Sequence, residues 1–262
     1  MNRPFALTSI LLFAALAFAQ PPKSETPPPE KSTAPTAKRA LIVLTSHSKL
    51  GDTGRATGFY LSEASHAWDV FKNAGFVVEF ASPEGGKAPI EGVKMDDPVN
   101  AAFMGDADVK SKLATTRRVD QVQPSEFAIL YFAGGHGTMW DFPDNTTLAA
   151  LTANMYERGK VVAAVCHGPA ALVNVKLADG TYLVKGKTVS AFTNEEEKNV
   201  KLEAVVPFLL EDKLVERGAS FRKSAPFEKH VEIDGRLITG QNPASAKGVA
   251  EAAVRSAEQS AK

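Results

Sequence analysis

The chain has 262 residues, 44% of them apolar and 23% charged, and this composition excludes a disordered or fibrous protein. Its 30 basic and 30 acidic residues cancel, so it lacks the positive field with which proteins hold nucleic-acid phosphates. The single cysteine, Cys166, excludes an intramolecular disulfide, a multi-cysteine zinc site and an iron–sulfur cluster. We therefore expect a globular protein with a small partner rather than a nucleic acid.

Residues 1–19 have the pattern of a cleavable secretory signal peptide. Arg3 precedes an apolar run over residues 5–19, and the small residues around Phe18 suit a signal peptidase. The run is shorter than the roughly 20 residues that a spanning helix needs, and a retained membrane anchor is the alternative. The pattern predicts a periplasmic or secreted protein without a membrane span after processing.

The composition of residues 20–39 predicts a linker outside the folded domain. They hold six prolines among serine, threonine, lysine and glutamate, a composition that favours extended, disordered chain. The remaining residues 40–262 carry 25 basic and 28 acidic residues, so the predicted folded domain is slightly acidic.

The predicted domain alternates strands with helices. It begins with an apolar run over residues 40–44, typical of a strand buried on both faces of a parallel sheet. The apolar spacing over residues 58–73 predicts a helix, and residues 76–80 predict the next strand. Further strands are predicted over residues 127–132, 161–165 and 188–192, with a hairpin of residues 229–233 and 237–239. Further helices are predicted over residues 106–114, 145–158, 169–173, 202–210 and 245–257.

This order predicts an α/β protein with a doubly wound, mostly parallel sheet of flavodoxin-like type and helices on both faces. About 40 residues, 83–126, separate the second and third strands, more than a crossover helix requires. We interpret this segment as a small cap insertion over a site or a partner surface.

Cys166 lies where a buried strand passes directly into a helix. Pro169 suits the first turn of that helix, because a proline there loses no hydrogen bond. The thiol is therefore expected at the carboxyl end of the sheet, where such folds bind ligands and where a helix N-terminus favours thiolate. The pattern predicts a nucleophile with a pKa below that of a free thiol. A buried, inert cysteine is the alternative.

Two more features point to the same end of the sheet. The glycine-rich turn at residues 133–137 follows the neighbouring strand and leaves backbone N–H groups free, as an oxyanion hole requires. A plain tight turn is the alternative. The spacing of the glycines does not fit a nucleotide-binding loop. Glu63, near the start of the first helix, can reach the crevice. Burial beside the thiol should raise the pKa of its carboxyl and suit it to carry a proton, although most helix glutamates are solvated.

Four separated motifs then resemble the DJ-1/PfpI superfamily. Within it they are most similar to the class I glutamine amidotransferase-like branch that includes heat-inducible holding chaperones and glutathione-independent glyoxalase III. The resemblance covers residues 39–258. The motifs are Ala-Gly-Gly-His-Gly at 133–137, Ala-Val-Cys-His-Gly-Pro-Ala at 164–170, Gly-Lys-Thr-Val-Ser-Ala-Phe-Thr-Asn-Glu-Glu-Glu at 186–197 and Gly-Arg-Leu-Ile-Thr-Gly-Gln-Asn-Pro-Ala-Ser at 235–245.

The resemblance implies a nucleophile at Cys166, its partner at His167, a glutamate at Glu63 beside the sulfur, and an oxyanion hole formed by the amides of Gly135 and His167. It also implies a third triad carboxylate in the glutamate run at 195–197. Glu197 fits best by its spacing, and the other two glutamates are expected to be solvated.

The implied activity is the conversion of an α-oxoaldehyde such as methylglyoxal to lactate, without glutathione, cofactor or metal. Deglycation, an amidase or peptidase activity, a holding chaperone that uses a possible homodimer, and a redox sensor are the alternatives. A glutaminase would need a His-x-Glu pair downstream of the cysteine, and His230 and Glu232 have that spacing. Their alternation with Val231 and Ile233 indicates instead that they form the outward face of a strand. His47, His66 and His136 lack a metal-binding spacing, although His47 and His136 are candidates to line the pocket.

Overall fold

The computed structural model describes Met1 and residues 38–260 of the chain. The predicted signal peptide at residues 1–19 lies almost wholly outside these residues, as does the predicted linker at residues 20–39 except for its last two residues. Among the described helices, none is long and apolar enough to cross a membrane.

Seven strands form the central sheet, in the order β10-β11-β7-β6-β1-β3-β5. Neighbouring strands run parallel, except that β10 and β11 form an antiparallel hairpin. Two short parallel pairs, β2 with β4 and β8 with β9, lie outside this sheet. The strands are β1 (Arg39–Val43), β2 (Phe59–Tyr60), β3 (Val77–Ser82), β4 (Ile90–Glu91), β5 (Arg117–Arg118), β6 (Ile129–Phe132), β7 (Val161–Val165), β8 (Thr188–Val189), β9 (Ser220–Phe221), β10 (Val231–Asp234) and β11 (Leu237–Gly240).

Helices cover both faces of the sheet, because successive side chains of its buried strands point to opposite sides. Ile42 and Tyr131 belong to the core on the side of α1 (Leu61–Asn73) and α8 (Ala246–Gln259). Their neighbours Leu41 and Phe132 belong to the core on the side of α5 (Thr146–Glu157). This doubly wound, flavodoxin-like arrangement confirms the predicted fold class. The helices are α1 (Leu61–Asn73), α2 (Pro98–Gly105), α3 (Ala107–Ala114), α4 (Thr138–Asp141), α5 (Thr146–Glu157), α6 (Asn194–Asn199), α7 (Leu210–Glu216) and α8 (Ala246–Gln259).

Three predicted elements differ from the structure. The strand predicted over residues 188–192 ends at Val189 and pairs with β9 outside the main sheet. The helix predicted over residues 202–210 is wrong: α7 begins only at Leu210. Pro207 explains this, because a proline inside a helix lacks the N–H donor and disfavours helical backbone at the residue before it. The helix predicted after Cys166 is a 3-10 helix, Gly168–Leu172.

The long segment at residues 83–126 is mainly a lateral extension of the fold. Its helices α2 and α3 pack near α1 and β3, and β5 extends the edge of the sheet. The start of α2 carries a signal that the sequence analysis missed, since the Asp97 side chain accepts from the amides of Val99 and Asn100 and Pro98 follows it. Only Glu91 and Gly92 of the segment line the candidate site, so it caps that site with one short piece.

Candidate active site

Cys166 occupies a strained elbow directly after β7. Its φ angle is +60°, a backbone conformation that residues with a side chain rarely adopt. The cost of such strain is on the order of 1–2 kcal/mol, which the buried strand and the 3-10 helix on either side must offset. Gly168 completes the turn, because a side chain there would collide with the carbonyl oxygen of Phe132. The elbow that the sequence predicts is therefore present, with the thiol buried at the carboxyl end of the sheet.

On one side of the sulfur lies a chain of hydrogen bonds through His167. Cys166 Sγ is 3.4 Å from His167 Nδ1, and His167 Nε2 is 2.7 Å from Glu197 Oε2. Because an ionised carboxylate only accepts hydrogen bonds, Nε2 carries the proton and Nδ1 presents a lone pair to the thiol. The structure thus brings together Cys166, His167 and Glu197 in the order that the resemblance implies.

On the other side lies Glu63, in the first turn of α1. Its Oε2 accepts the amide N–H of Gly134 at 2.7 Å, and its Oε1 accepts no N–H or O–H among the described residues. Burial raises the pKa of Glu63 to about 8, against the lowering effect of hydrogen bonds with Cys166 and Gly134. The carboxyl is therefore mainly protonated at neutral pH, as the sequence analysis predicted from burial.

The predicted direction of the thiol pKa is wrong. Burial raises the pKa of Cys166 well above its ordinary value, and the charge and hydrogen bonding of Glu63 add to the increase. A hydrogen bond from the backbone of His167 acts in the opposite direction but does not prevail. The helix N-terminus favours thiolate, but the near-complete enclosure of the sulfur outweighs it. The resting thiol is therefore protonated.

Two amides beside the sulfur fit the predicted oxyanion hole. Among the hydrogen bonds of the described residues, neither the N–H of Gly135 nor that of His167 donates to a main-chain carbonyl. Gly135 has a φ angle of +101°, and a side chain there would collide with the carbonyl oxygen of Gly58. Glycine is therefore required for this close approach. The His167 amide donates to the Cys166 sulfur, so it already faces the position where a bound oxyanion would form.

A second histidine extends the hydrogen-bond chain beyond Glu197. His136 Nε2 lies 3.0 Å from Glu197 Oε1, and the His136 main-chain N–H donates to Glu91 Oε1 at 2.8 Å. The rings of His136 and His167 have centroids 4.2 Å apart. His136 is predicted from the sequence only as a candidate to line the pocket, and Glu91 is not predicted at all. No spacing along the chain signals Glu91, because it arrives from the segment at residues 83–126.

The contacts within this series of hydrogen bonds set the charge of each side chain. Burial alone would lower the pKa of His136, but hydrogen bonds with Glu197 and Glu91 raise it to about 9. Burial is likewise outweighed at Glu197, whose pKa the two histidines lower to about 2. Burial and the neighbouring His136 lower the pKa of His167. At neutral pH the Glu197 carboxylate therefore lies between the imidazolium of His136 and the neutral imidazole of His167.

Cys166, His167, His136 and Glu91 line a cavity of about 310 Å³, a size found for small-molecule sites, whereas Glu63 and Glu197 do not line it. Its polar lining comes from the residues just described and from Tyr60 and Arg55. Its apolar lining is Leu50, Ala56, Phe192, Val200, Leu202, Phe227 and Pro243. The cavity therefore offers an apolar surface next to a thiol and its proton-transfer partners.

His136, His167 and Glu197 also form a group with the residue types of a metal site, since their ligand atoms lie within 4.8 Å of one another. Their spacing along the chain does not signal this group, because the three residues come together only in the folded chain. The geometry favours proton transfer over metal binding. Glu197 already accepts hydrogen bonds from both rings, so a metal ion at this position would have to displace two ring protons.

The glutamate run divides three ways. Glu197 faces His167, Glu195 is exposed, and Glu196 is buried. The expectation that two of the three are solvated is therefore wrong for Glu196. Its side chain forms a capping box with Thr193 and accepts three more hydrogen bonds from residues elsewhere in the chain.

The other histidines lie outside the cavity. His47 stacks on Trp140 with ring centroids 5.1 Å apart, and it does not line the pocket. His230 Nε2 is 2.8 Å from Glu232 Oε1, and neither side chain lines the pocket. The pair is therefore not the histidine and glutamate partners of a glutaminase.

A flavodoxin-like sheet with a cysteine elbow at its carboxyl end, flanked by a histidine and two glutamates, defines a class of α/β proteins. Comparison with known proteins identifies the group within that class. The chain matches the DJ-1/PfpI family over residues 55–256, and it belongs to that family.

Its relatives support the narrower resemblance. The chain is 34% identical to the glutathione-independent glyoxalase hsp3102 of Schizosaccharomyces pombe over 83% of this chain and 96% of that one. The structure matches Rapid Encystment Protein 24 KDa of Francisella tularensis with a TM-score of 0.82 and 38% identity, over 84% of this chain and 99% of that one. It matches glyoxalase III of Candida albicans with a TM-score of 0.78 and 27% identity, over 84% and 97%.

Proposed function

We propose that the protein is a glutathione-independent glyoxalase that converts methylglyoxal to lactate through Cys166. One observation carries the proposal: the Cys166 sulfur lies between a protonated, buried Glu63 and a neutral His167, in a cavity beside two amides that donate to no main-chain carbonyl among the described residues. The glyoxalase names of its relatives support the same activity. Of the alternatives, deglycase, amidase, chaperone and redox-sensor roles have no comparable observation in their favour.

In the first step the thiol proton passes to His167 Nδ1 as the sulfur adds to the aldehyde carbon, C1. A carbon–sulfur bond forms and the carbonyl π pair moves to oxygen, where the amides of Gly135 and His167 stabilise it. The raised pKa of the thiol makes this transfer concerted with attack rather than earlier. The imidazolium then protonates the oxyanion, which leaves a hemithioacetal and a neutral His167.

In the second step the ionised form of Glu63 removes the C1 hydrogen as a proton, which gives an enediolate. Glu63 then returns this proton to C2, and the proton of the C1 hydroxyl passes to the C2 oxygen. C1 becomes a thioester carbonyl while C2 becomes a secondary alcohol, so oxidation of one carbon balances reduction of the other and no external electron acceptor is needed. Water then cleaves the thioester, releasing lactate and restoring the thiol. A Glu63 pKa of about 8 gives a base stronger than an ordinary carboxylate, as this proton transfer requires.

The test is turnover of methylglyoxal by purified residues 38–262 without glutathione, with lactate measured enzymatically. We expect activity in the wild type and none in Cys166→Ala. Serine variants distant from the site, such as Ala178→Ser in an exposed loop, serve as the matched control. Lactate formation that survives in Cys166→Ala would refute the cysteine mechanism, and no turnover by the wild type would refute the glyoxalase assignment.

We also propose that the protein is exported and cleaved near Ala19. The proposal is supported by the basic start, the apolar run and the small-residue site of the sequence. Intact-mass analysis of the envelope or secreted fraction tests it. A mature form that begins near Gln20 is expected, and a membrane-bound form that retains residues 1–19 would mean that this segment is an anchor.

A further inference from the structure

Part of the apolar lining of the cavity extends outward from the catalytic pair. The ring centroid of Phe192 lies 4.4 Å from that of His167, and the ring of Phe227 follows at 6.3 Å from Phe192. Phe192 is 5% exposed and Phe227 is 48% exposed, so this aromatic wall, Phe192 and Phe227, runs from the sulfur to the pocket mouth. No catalytic step described above uses Phe227.

Phe227 is held in an unusual conformation. Its φ angle is +63°, which is disfavoured for a residue with a side chain, and its main-chain N–H donates to Glu196 Oε1 at 2.7 Å. The same oxygen accepts from Asn242 Nδ2 at 2.8 Å and from Gln241 Nε2 at 3.1 Å, while Oε2 accepts from Thr193. The Glu196 carboxylate thus faces donors only, and it fixes the Phe227 backbone to the helix that carries Glu197.

We propose that Phe227, positioned by Glu196, is a specificity-determining residue that binds the substituent on C2 of the substrate and favours α-oxoaldehydes with an aromatic ring there. The proposal rests on the proposed glyoxalase function. With the aldehyde carbon at Cys166, a methyl group leaves most of the 310 Å³ cavity unfilled, whereas a phenyl group can pack along the aromatic wall. Adjacent glutamates would then serve separate tasks, Glu197 in orienting His167 and Glu196 in substrate selection.

The experiment compares kcat/KM for phenylglyoxal and methylglyoxal in the wild type, Phe227→Ala and Glu196→Gln. We expect the wild type to prefer phenylglyoxal and Phe227→Ala to reduce this preference roughly 3- to 10-fold, the range of one aromatic contact. Alanine keeps the Cβ atom, so the backbone cost of the positive φ is unchanged. Ile233→Ala, at an exposed apolar residue outside the pocket, is the matched control and should keep the wild-type ratio.

Glu196→Gln places an amide N–H₂ against hydrogen-bond donors, so it should release Phe227. Because Glu196 acts by positioning Phe227, the KM for phenylglyoxal should rise more than kcat falls. Glu195→Gln, at the exposed neighbour, is the control. If Glu196→Gln does not fold, Phe227→Ala decides the question alone, because it leaves the Glu196 hydrogen bonds in place. A substrate ratio that Phe227→Ala leaves unchanged overturns the proposal.

A second measurement separates this proposal from the glyoxalase assignment. Alkylation of Cys166 by iodoacetamide and by N-benzyliodoacetamide needs no turnover. In the wild type the benzyl reagent should react faster, and Phe227→Ala should remove that advantage. This outcome without any glyoxalase activity would support the aromatic wall and refute the assignment, whereas an unchanged reagent ratio would overturn the wall in either case.

Discussion

The two carboxyl groups beside the Cys166–His167 pair are in opposite states. Glu63 meets an amide and a thiol but no cation, and its pKa is raised to about 8. Glu197 meets two imidazole rings, and its pKa is lowered to about 2. The same side chain is therefore a proton donor at neutral pH on one side of the site and a permanent anion on the other.

The difference shows which effects prevail at this depth. Glu63 lies in the first turn of α1, where the helix dipole favours a carboxylate by roughly 0.3–1 kcal/mol. Burial of an unpaired charge costs several kcal/mol, so burial wins at Glu63. At Glu197 the hydrogen bonds and charges of two histidines exceed the same burial cost. Residue type alone therefore does not decide the role, whereas the presence of a partner cation does.

The largest effect is expected for Glu63→Gln on catalysis. The amide keeps the shape of the side chain but cannot exchange a proton, so methylglyoxal turnover should fall about 10²- to 10⁴-fold, as for a positioned general base. Steady-state lactate formation measures the loss, and circular dichroism checks the fold. Equal activity in both proteins would remove Glu63 from the proton-transfer step.

The same substitution should change the pH dependence of stability. Below pH 4.5 the carboxyl is protonated in both the folded and the unfolded chain. Between pH 4.5 and about 8 only the unfolded chain ionises, so the free energy of unfolding falls as pH rises. Relative to the wild type, Glu63→Gln should therefore gain stability between pH 4.5 and 8, on the order of 3–5 kcal/mol. Urea unfolding at both pH values measures this gain, and a pH-independent difference would contradict the raised pKa.

Much of the site was predictable because its central residues are local in sequence. The apolar residues of β7 predict a buried strand, and Cys166, His167 and Pro169 follow it directly, so the elbow needs no tertiary information. Gly135 is similarly placed by the strand before it. The wrongly predicted helix over residues 202–210 has the apolar content of a helix, but Pro207 lacks the N–H donor that a helix interior needs, and α7 begins only at Leu210.

The parts that escaped prediction depend on contacts between distant segments. Glu91 comes from the insertion and meets His136 only in the folded chain. Glu196 looks like a surface residue because its neighbours are charged, yet donors from Phe227, Gln241 and Asn242 surround it. The prediction of a lowered thiol pKa is wrong for the same reason, because enclosure of the sulfur depends on the tertiary structure.

The ionised side of the site should be less sensitive than the protonated side. Glu197→Gln removes the anion that fixes the His167 tautomer, while Cys166, Glu63 and the amides remain in place. We expect kcat to fall by less than for Glu63→Gln, because Glu197 orients the base and does not itself transfer a proton. Glu195→Gln, in the same helix turn but exposed, should retain wild-type kcat. A loss that exceeds that of Glu63→Gln would reverse the assignment of the two carboxyl groups.

The smallest effect is expected at His136, and it appears in the pH profile. Burial lowers the pKa of His167, and the His136 imidazolium lowers it further. His136→Asn removes that positive charge, so the pKa of His167 should rise. Because the neutral imidazole is the base, the acid limb of kcat/KM should move to higher pH, with a loss of only a few-fold at the optimum. His66→Asn, which breaks a histidine–carboxylate contact of 2.8 Å outside the pocket, should leave the limb unchanged. A lower rate without a shifted limb would mean that His136 only supports the structure and does not tune the charge beside Glu197.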